Sequence, residues 1–375
     1  MSLSKNEIER YNRHLLLPEI GIAGQQRLKE AKVLCVGSGG LGSPVLLYLA
    51  AAGVGRLGIM DFDVVDASNL QRQILFSTSA IGKSKVESAS QKLHELNSHT
   101  KTDRLDFRLT AENATDVFPA YDVIVDCTDN FPTRYLINDA CEMLGKPNVY
   151  GSIFRFEGQV SVFNYQNGPG YRDLYPEPPE HGLVPDCATA GVLGILPGLI
   201  GTIQATEVIK ILLELGNTLA GRLLLYDALK MSFREIKIAK DKSRQPVTKL
   251  VDYSETCNAQ TNFMQSQESN PSFEINATDL AKQLQVDDVF LIDVREPMEW
   301  DICHLPGATL IPLGELESRL DELDNEKKIV TYCRAGIRTI EALRILHTAG
   351  FTTAKHLRGG IHAWSDAVDP SVPKY

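Results

Sequence analysis

A cluster of glycines between a short apolar strand and an apolar helix constrains the fold of this chain more than any other feature. Gly37, Gly39, Gly40 and Gly42 directly follow the apolar residues 33–36. Glycines let a backbone approach a phosphate closely, and the free N–H groups at a helix N-terminus favour negative charge. Gly-rich turns also occur as plain turns, so it is the flanking strand and helix that predict a site for a phosphate-bearing nucleotide.

Strand and helix patterns alternate after the glycines. Strands are predicted at 57–60, 101–108 and 121–126, and a helix is predicted at 85–96. This alternation favours an α/β fold with a Rossmann-like, doubly wound sheet. Asp61 lies about twenty residues beyond the glycines, where a ribose-binding carboxylate is expected in such folds.

Polar and charged side chains collect mostly where the predicted strands end. Arg13 is the exception, because it lies on an amphipathic helix predicted at 4–17. The full set is Arg13, Asp61, Asn69, Arg72, Lys85 and Asp129. Open α/β sheets bind ligands at this edge, so we expect a site rather than a solvated rim. Cations and a metal suit an attack on phosphate, because negative charge develops there during the reaction.

The pattern changes after Gly151. Two short strands in a bend are predicted at 154–165, and strands at 223–226 and 233–238 close the first domain. A helix at about 199–213 is apolar nearly all round. We therefore expect this helix to be buried, either in the core or at a subunit contact.

A long loop at 166–186 contains five prolines and leads to Cys187. Loops of this length without secondary structure are usually functional or mobile. Cys187 stands where this loop meets a helix N-terminus, which favours a reactive thiol over a structural cysteine. Cys35, Cys127 and Cys141 fall in strand or helix patterns, so we expect them in the core.

Residues 241–271 are polar and poor in aliphatic side chains, and they predict a linker to a second, smaller α/β domain. In that domain a strand at 328–332 leads into Cys333, which is followed by Arg334 and Arg338. A helix N-terminus and two arginines stabilise a thiolate, or an anionic sulfur attached to it. The pattern favours a sulfur nucleophile over a core cysteine.

Composition excludes several classes of protein. The formal net charge of −10 argues against a general nucleic-acid binder. The first residues are charged and lack the apolar core of a signal peptide, and the most apolar run, 190–203, is broken by Pro197 and is too short to span a bilayer. We therefore expect a cytoplasmic protein without a membrane partner. Its seven cysteines are odd in number and show no C-x-x-C spacing. We expect no structural disulfides, because thiols stay reduced in the cytoplasm.

The second domain, placed at 272–375, resembles a rhodanese domain. The loop C-R-A-G-I-R at 333–338 matches the rhodanese active loop, and the segments 292–296 and 304–308 match two further signatures. Cys303 departs from the family, which usually has glycine before the histidine. The resemblance implies that the loop cysteine carries a persulfide, since a six-residue loop suits sulfur rather than the larger phosphate or arsenate.

The first domain, placed at 1–240, is similar to the MoeB/ThiF family of adenylating enzymes, which are related to ubiquitin activators. The matching segments are 10–14, 37–42, 61–63, 68–73, 85–87 and 126–130. The resemblance implies a mixed sheet of the MoeB/ThiF type and an ATP site. Its implied lining residues are Gly37, Gly39, Gly40, Gly42, Asp61, Ser68, Asn69, Leu70, Gln71, Arg72, Lys85, Asp129 and Asn130.

The same resemblance implies a role for several of these residues. Asp61 would hold the ribose, and Arg72 and Lys85 would hold the phosphates. Asp129 would organise Mg²⁺ and the phosphates. The residue that matches Arg13 reaches the ATP of the other protomer in this family, which implies a homodimer.

Two further features of the family concern cysteines. Cys187 matches the crossover cysteine, which attacks the acyl-adenylate to form a thioester or an acyl disulfide. Many relatives also bind a structural zinc ion through two C-x-x-C pairs, which would fall at Gly170, Asp173, Ser254 and Cys257. Three of these four positions lack cysteine, so we predict no zinc site.

The fusion of the two domains predicts the reaction. Adenylation makes a carboxylate electrophilic, and a persulfide is a strong sulfur nucleophile. Together they would convert the C-terminal glycine carboxylate of a ubiquitin-like sulfur carrier, similar to MoaD or ThiS, into a thiocarboxylate. A cysteine desulfurase or thiosulfate would supply the sulfur. The sequence leaves open whether the carrier serves molybdopterin, thiamine or tRNA thiolation.

Three other functions fit part of the sequence. An NAD-dependent oxidoreductase with a regulatory rhodanese domain is compatible with the glycines and Asp61, but it has no leaving pyrophosphate for the cations to neutralise. A conjugation-type activator would pass the carrier from Cys187 to a ligase, and would not need the complete loop at 333–338. A non-enzymatic scaffold would not need the charges of the ATP site.

Overall fold

The computed structural model describes residues 2–179, 191–253, 273–286, 289–323 and 327–375. The chain forms two compact units, Met1–Asn258 and Ala259–Tyr375.

The first unit is a sheet with helices on its faces. Its strands are β1 (Lys32–Val36), β2 (Arg56–Met60), β3 (Lys101–Leu105), β4 (Val123–Asp126), β5 (Asn148–Phe154), β6 (Glu157–Phe163), β7 (Arg222–Asp227) and β8 (Ser232–Lys237). Its helices are α1 (Lys5–Arg10), α2 (Asn12–Leu15), α3 (Gly21–Glu30), α4 (Gly42–Ala52), α5 (Lys85–Leu96), α6 (Ala111–Val117), α7 (Phe131–Leu144) and α8 (Leu196–Leu213).

The strand order in this sheet is β3-β2-β1-β4-β5-β6-β7-β8. Strands β1 to β5 run parallel to their neighbours in that order, whereas β6, β7 and β8 pair antiparallel. The predicted Rossmann-like, doubly wound mixed sheet is therefore confirmed. The strand order reverses between β1 and β4, and ligands bind beyond the carboxyl ends of strands at such a point.

The two strands predicted at 154–165 are present, but their predicted start at residue 154 was wrong. Strand β5 begins earlier, at Asn148, where it pairs with β4. Gly151 lies inside this strand instead of marking a change of structure. A Cβ atom there would stand 2.4 Å from the buried side chain of Gln204, so close packing accounts for the glycine.

The helix predicted at 4–17 is broken into α1 and α2, which meet at Tyr11. The Tyr11 ring is buried, and its hydroxyl accepts a hydrogen bond from Asn97 Nδ2 at 2.8 Å. This contact joins residues far apart in sequence, so helical periodicity could not reveal it.

Helix α8 crosses the main core, as its apolar pattern predicts. Ile200, Val208 and Ile211 belong to the largest apolar cluster of the unit, and the helix packs against α4, β5 and β6. The helix begins at Leu196 and not at about 199, so it is longer than predicted. By length and composition alone, its 18 residues would be enough to cross a membrane. Its buried Gln204 donates to the carbonyls of Asp126 and Val149 at 2.8 and 3.2 Å, as expected of a core helix.

The start of the predicted linker packs against the first unit. Leu250 joins an apolar cluster, and the Arg244 guanidinium contacts Glu142 at 2.8 Å. The Tyr253 hydroxyl donates to Asp139 at 2.6 Å, and burial together with this carboxylate raises the pKa of Tyr253 to about 12. Arg172 donates two hydrogen bonds to the same carboxylate, at 2.8 and 3.0 Å.

The second unit is a smaller sheet in the order β11-β10-β12-β13-β9, with every pair parallel. Its strands are β9 (Glu274–Ile275), β10 (Val289–Asp293), β11 (Thr309–Leu310), β12 (Lys328–Tyr332) and β13 (Lys355–Leu357). Its helices are α9 (Ala277–Val286), α10 (Pro297–Ile302), α11 (Leu313–Leu316), α12 (Arg338–Thr348) and α13 (Gly360–Ala367). The prediction of a second α/β domain is confirmed.

We expect Asp139→Asn to lower the free energy of unfolding of the first unit by about 3–5 kcal/mol, because it leaves Arg172 without its counter-charge. Far-UV circular dichroism during urea unfolding measures this change. Tryptophan fluorescence does not, because Trp300 and Trp364 both lie in the second unit. As a control, Glu235→Gln breaks a partly exposed ion pair and should cost at most about 1 kcal/mol. Equal losses in the two variants would contradict the prediction.

Candidate active sites

The turn between β1 and α4 is built by glycines packed against backbone. Gly37 has a φ of +92°, and a Cβ atom there would stand 2.8 Å from the carbonyl oxygen of Cys127. A Cβ atom at Gly42 would stand 2.1 Å from the carbonyl oxygen of Gly37. Side chains would therefore push this turn off the end of β4, and Gly39 and Gly40 would no longer line the cavity beside it.

This cavity lies beyond the carboxyl ends of β1, β2 and β4. Nine of the residues predicted for the ATP site line it: Gly37, Gly39, Gly40, Asp61, Asn69, Arg72, Lys85, Asp129 and Asn130. They come from five separate stretches of the chain. The sheet topology brings them together, as expected at the point where strand order reverses.

Asp61 holds the glycine turn in place. One carboxylate oxygen accepts from both the backbone N–H and the hydroxyl of Ser38, each at 2.8 Å. The other oxygen accepts from the backbone N–H of Asp63 at 3.1 Å. A carboxylate has about four acceptor positions, so one remains for a ligand hydroxyl.

The cations of the cavity are held by neighbouring groups. Lys85 is nearly buried, and its Nζ lies 2.8 Å from an oxygen of the half-exposed Asp63. Arg72 donates to the carbonyl oxygen of Ser68 at 3.3 Å. Asp129 is exposed, and within the described ranges no group donates a hydrogen bond to its carboxylate. The predicted residues thus bring two cations and one open carboxylate to the cavity.

Five predicted residues do not line this cavity: Arg13, Gly42, Ser68, Leu70 and Gln71. Gly42 acts through packing, as described above, and Ser68 accepts a hydrogen bond from the Asn69 amide at 3.0 Å. Arg13 is exposed on α2. Cys187 and Cys257 lie outside the described residues.

Sequence reasoning missed several lining residues, among them Phe62, Gln73, Arg108, Thr128 and Arg134. Buried Gln73 donates to Asn69 at 2.6 Å, and its place in the S-N-L-Q-R-Q segment was an available signal. Arg134 donates to the carbonyl oxygen of Thr128 at 3.1 Å. Arg134 lies in the first turn of α7 and not at the end of a strand, so the strand pattern could not predict it.

In the second unit, Cys333 directly follows β12 and is 1% exposed. The backbone N–H of Gly336 points at its sulfur, with the nitrogen 3.1 Å from Sγ. The Cys333 carbonyl oxygen accepts from the N–H of Ile361 at 2.9 Å and would stand 2.3 Å from a Cβ atom at Gly360. The start of α13 therefore packs against the backbone of the loop at 333–338 and holds it in place.

The two predicted arginines of this loop differ in their surroundings. Arg338 forms two hydrogen bonds with the carboxylate of Glu299, at 2.6 and 2.7 Å. The guanidinium of Arg334 lies 5.3 Å from the ring centroid of Tyr375. Among the predicted catalytic groups, the structure thus places Cys333, Arg334 and Arg338 on one loop.

Two families match this chain. The sequence model of the ThiF family matches residues 11–247, and that of the rhodanese-like domain matches residues 276–367. The first match covers more than half of the chain, which therefore belongs to the ThiF family and carries a rhodanese-like domain.

Similar proteins have matching names. A probable adenylyltransferase/sulfurtransferase MoeZ of Mycobacterium tuberculosis is 48% identical, over 100% of this chain and 97% of that protein. The adenylyltransferase and sulfurtransferase MOCS3 of Drosophila yakuba is 43% identical, over 100% of this chain and 86% of that protein. These relatives confirm the predicted enzyme class, adenylyltransferase and sulfurtransferase.

Among solved structures, E. coli MccB with ATP is similar in fold. It has a TM-score of 0.54 and 20% identity, covering 60% of this chain and 68% of that chain. A complex of MccB with MccA-N7isoASN gives a TM-score of 0.58 at 20% identity, covering 65% of this chain and 75% of that chain. At this identity the likeness shows the fold alone.

We expect Gly37→Ala to abolish nucleotide binding, because the new Cβ atom would collide with the Cys127 carbonyl at a positive φ. Isothermal titration with ATP measures the loss. Gly198→Ala is the matched control, since Gly198 lies in α8 with no atom within 4 Å of an added Cβ. It should bind ATP normally and be more stable by up to about 1 kcal/mol. Normal ATP affinity in Gly37→Ala would contradict the account of the turn.

Proposed function

We propose that this enzyme adenylates the C-terminal glycine of a small ubiquitin-like sulfur carrier, similar to MoaD or ThiS, and then converts it into a thiocarboxylate. One observation carries the first half of the proposal. The cavity collects Arg72, Lys85 and Asp129 around a phosphate-binding glycine turn. Cations suit ATP with a leaving pyrophosphate better than they suit a dinucleotide cofactor.

The cavity fits ATP with Mg²⁺. Asp61 retains an acceptor position for a ribose hydroxyl, and Arg72 and Lys85 suit the phosphates. The Asp129 carboxylate fits Mg²⁺, because it accepts no hydrogen bond from the described part of the chain and Mg²⁺ prefers one or two carboxylates together with phosphate oxygens. When bound, the ion would neutralise charge on the phosphates.

In the first step the carrier carboxylate attacks the α-phosphorus of ATP. An oxygen–phosphorus bond forms, and pyrophosphate leaves with the bonding pair of electrons. Lys85 can exchange its partner Asp63 for a phosphate oxygen, because Asp63 is half-exposed and can be solvated instead. Such fixed cations stabilise the charge that develops on the phosphates.

In the second step the Cys333 persulfide attacks the acyl-adenylate and expels AMP, which leaves the carrier joined to Cys333 through an acyl disulfide. A thiolate then attacks the Cys333 sulfur of this acyl disulfide, so a new disulfide to Cys333 forms and the thiocarboxylate leaves with the bonding pair of electrons. A dithiol reductant then reduces that disulfide and restores the thiol of Cys333. Cys187 either supplies the attacking thiolate or first takes the carrier as a thioester. Support for the sulfur chemistry comes from Gly336, whose N–H donates to Cys333 Sγ.

We also propose that no structural zinc is needed. At the positions where relatives carry the first zinc-binding cysteine pair, Asp173 accepts from the N–H of Gly170 at 2.7 Å. Arg172, Asp139 and Tyr253 hold the neighbouring segments together through hydrogen bonds of 2.5–3.0 Å. These hydrogen bonds join the segments through side chains and need no metal ligand.

The second unit should be dispensable for the first reaction. We expect Cys333→Ala to retain carrier-dependent exchange of pyrophosphate into ATP and to lose thiocarboxylate formation. Lys85→Ala should lose both, with exchange at least about 10²-fold slower, because a fixed cation is missing. Isotope exchange and intact mass spectrometry of the carrier measure the two steps. Thiocarboxylate formed by Cys333→Ala would contradict the division of labour.

We propose a cytoplasmic homodimer in which Arg13 completes the site of the other protomer. Arg13→Ala and Lys85→Ala should each be inactive alone. After the subunits are mixed and exchanged, about a quarter of the wild-type exchange activity should return, since half of the dimers are mixed and each holds one intact site. No recovery after verified exchange would show that Arg13 acts within its own chain or outside the site.

A further inference from the structure

One of the two arginines of the rhodanese-like loop, Arg338, is paired with an acid outside the loop. Both terminal nitrogens of the Arg338 guanidinium donate to the carboxylate of Glu299, on α10. Burial favours the neutral form of Glu299, but its hydrogen bonds with Arg338 prevail and hold its pKa below the usual value. Hydrogen bonds with Glu299 raise the pKa of Arg338, and the nearby Cys333 acts in the same direction. Glu299 and Arg338 are therefore an ion pair close to the reactive sulfur.

Further contacts hold this ion pair in place. The second oxygen of the Glu299 carboxylate also accepts from the backbone N–H of Glu296, at 3.1 Å, at the start of α10. The Tyr375 hydroxyl donates to Glu299 at 3.1 Å. Two oxygens thus receive four hydrogen bonds, which fixes the carboxylate against Arg338. The Arg338 guanidinium cannot turn toward a ligand without breaking its two hydrogen bonds with Glu299.

Two large, exposed apolar side chains stand next to the ion pair in the sequence. Ile337, within the loop, is 73% exposed, and Met298, beside Glu299 on α10, is 71% exposed. A small, strongly hydrated dianion gains nothing from such a surface. An organic persulfide carries one charge and an apolar or peptide body, so it suits both the apolar surface and the balanced charge.

We infer that Glu299 determines the choice of sulfur donor, by balancing the charge of Arg338 and so favouring singly charged organic persulfides over dianionic thiosulfate. This inference rests on the proposed function, because it requires Cys333 to carry the transferred sulfur. Glu299 acts through Arg338 and is a positioning residue.

The loading step is the same for both donors. The Cys333 thiolate attacks the outer sulfur of the donor, a new sulfur–sulfur bond forms, and the old one breaks. Sulfite leaves thiosulfate with the bonding pair, and a thiolate leaves the organic persulfide in the same way. Cys333 ends as a persulfide in both cases, and no other oxidant or reductant is used.

The test is Glu299→Gln, which removes the charge and keeps an acceptor for the Glu296 N–H. The probes are thiosulfate and the persulfide of N-acetylcysteinamide, with cyanide as the acceptor. We expect kcat/KM for thiosulfate to rise about tenfold, mainly through a lower KM. Coulomb energy scales with ligand charge, so the singly charged donor should gain at most the square root of that factor, about threefold.

Two variants separate charge from packing. Asp301→Asn removes the same charge from an exposed position on the same helix, and should change either rate less than twofold because solvent screens it. Glu299→Asp keeps the charge and should leave the preference between donors close to that of the wild type. Unchanged or weaker use of thiosulfate by a folded Glu299→Gln protein would overturn the inference.

Two measurements on the wild type complete the test. Mass spectrometry first locates the persulfide. If neither donor loads Cys333, the proposed function fails and the inference fails with it; if both load Cys333, only the kinetic comparison decides the inference. Should Glu299→Gln not fold, the salt dependence of wild-type thiosulfate turnover replaces it. Because Arg338 is already paired, we expect kcat/KM for thiosulfate to change less than about twofold when added salt shortens the Debye length. A steep fall in kcat/KM with salt would overturn the inference.

Discussion

The first unit depends on the close approach of one turn to the end of a neighbouring strand. Gly37 lies against the Cys127 carbonyl, and Asp61 fixes the same turn by accepting both hydrogen-bonding groups of Ser38. Three adjacent strands, β1, β2 and β4, are thereby joined at their carboxyl ends. The cavity has its shape because these contacts leave no room for a side chain at Gly37.

Local patterns in the sequence were sufficient for most of the fold. The alternation of strands and helices, the glycine turn and the loop around Cys333 all follow from residues close together in the chain. Errors arose where distant residues decide the structure. Gly151 lies in a strand, and its glycine is required by the packing of Gln204. Tyr11 lies between two helices where its hydroxyl meets Asn97.

The same distinction holds for the candidate sites. Arg72, Lys85 and Asp129 were predicted because they follow strand ends, and they do line the cavity. The ion pair of Lys85 with Asp63 was not predictable from spacing. Glu299 and Arg338 are far apart in sequence and meet only because α10 and the loop after β12 lie side by side. In both units a basic residue at the site is paired with an acid, so the net charge offered to a ligand is smaller than its arginines and lysines suggest.

The most direct test of the account is the intact mass of a candidate ubiquitin-like carrier after incubation with this enzyme, Mg-ATP and a sulfur donor. The account predicts a gain in mass that matches replacement of one carboxylate oxygen by sulfur, and it predicts that the gain requires both ATP and Cys333. A carrier that is only adenylated while Cys333 is fully loaded with persulfide would contradict the central claim that the two units act on one carboxylate.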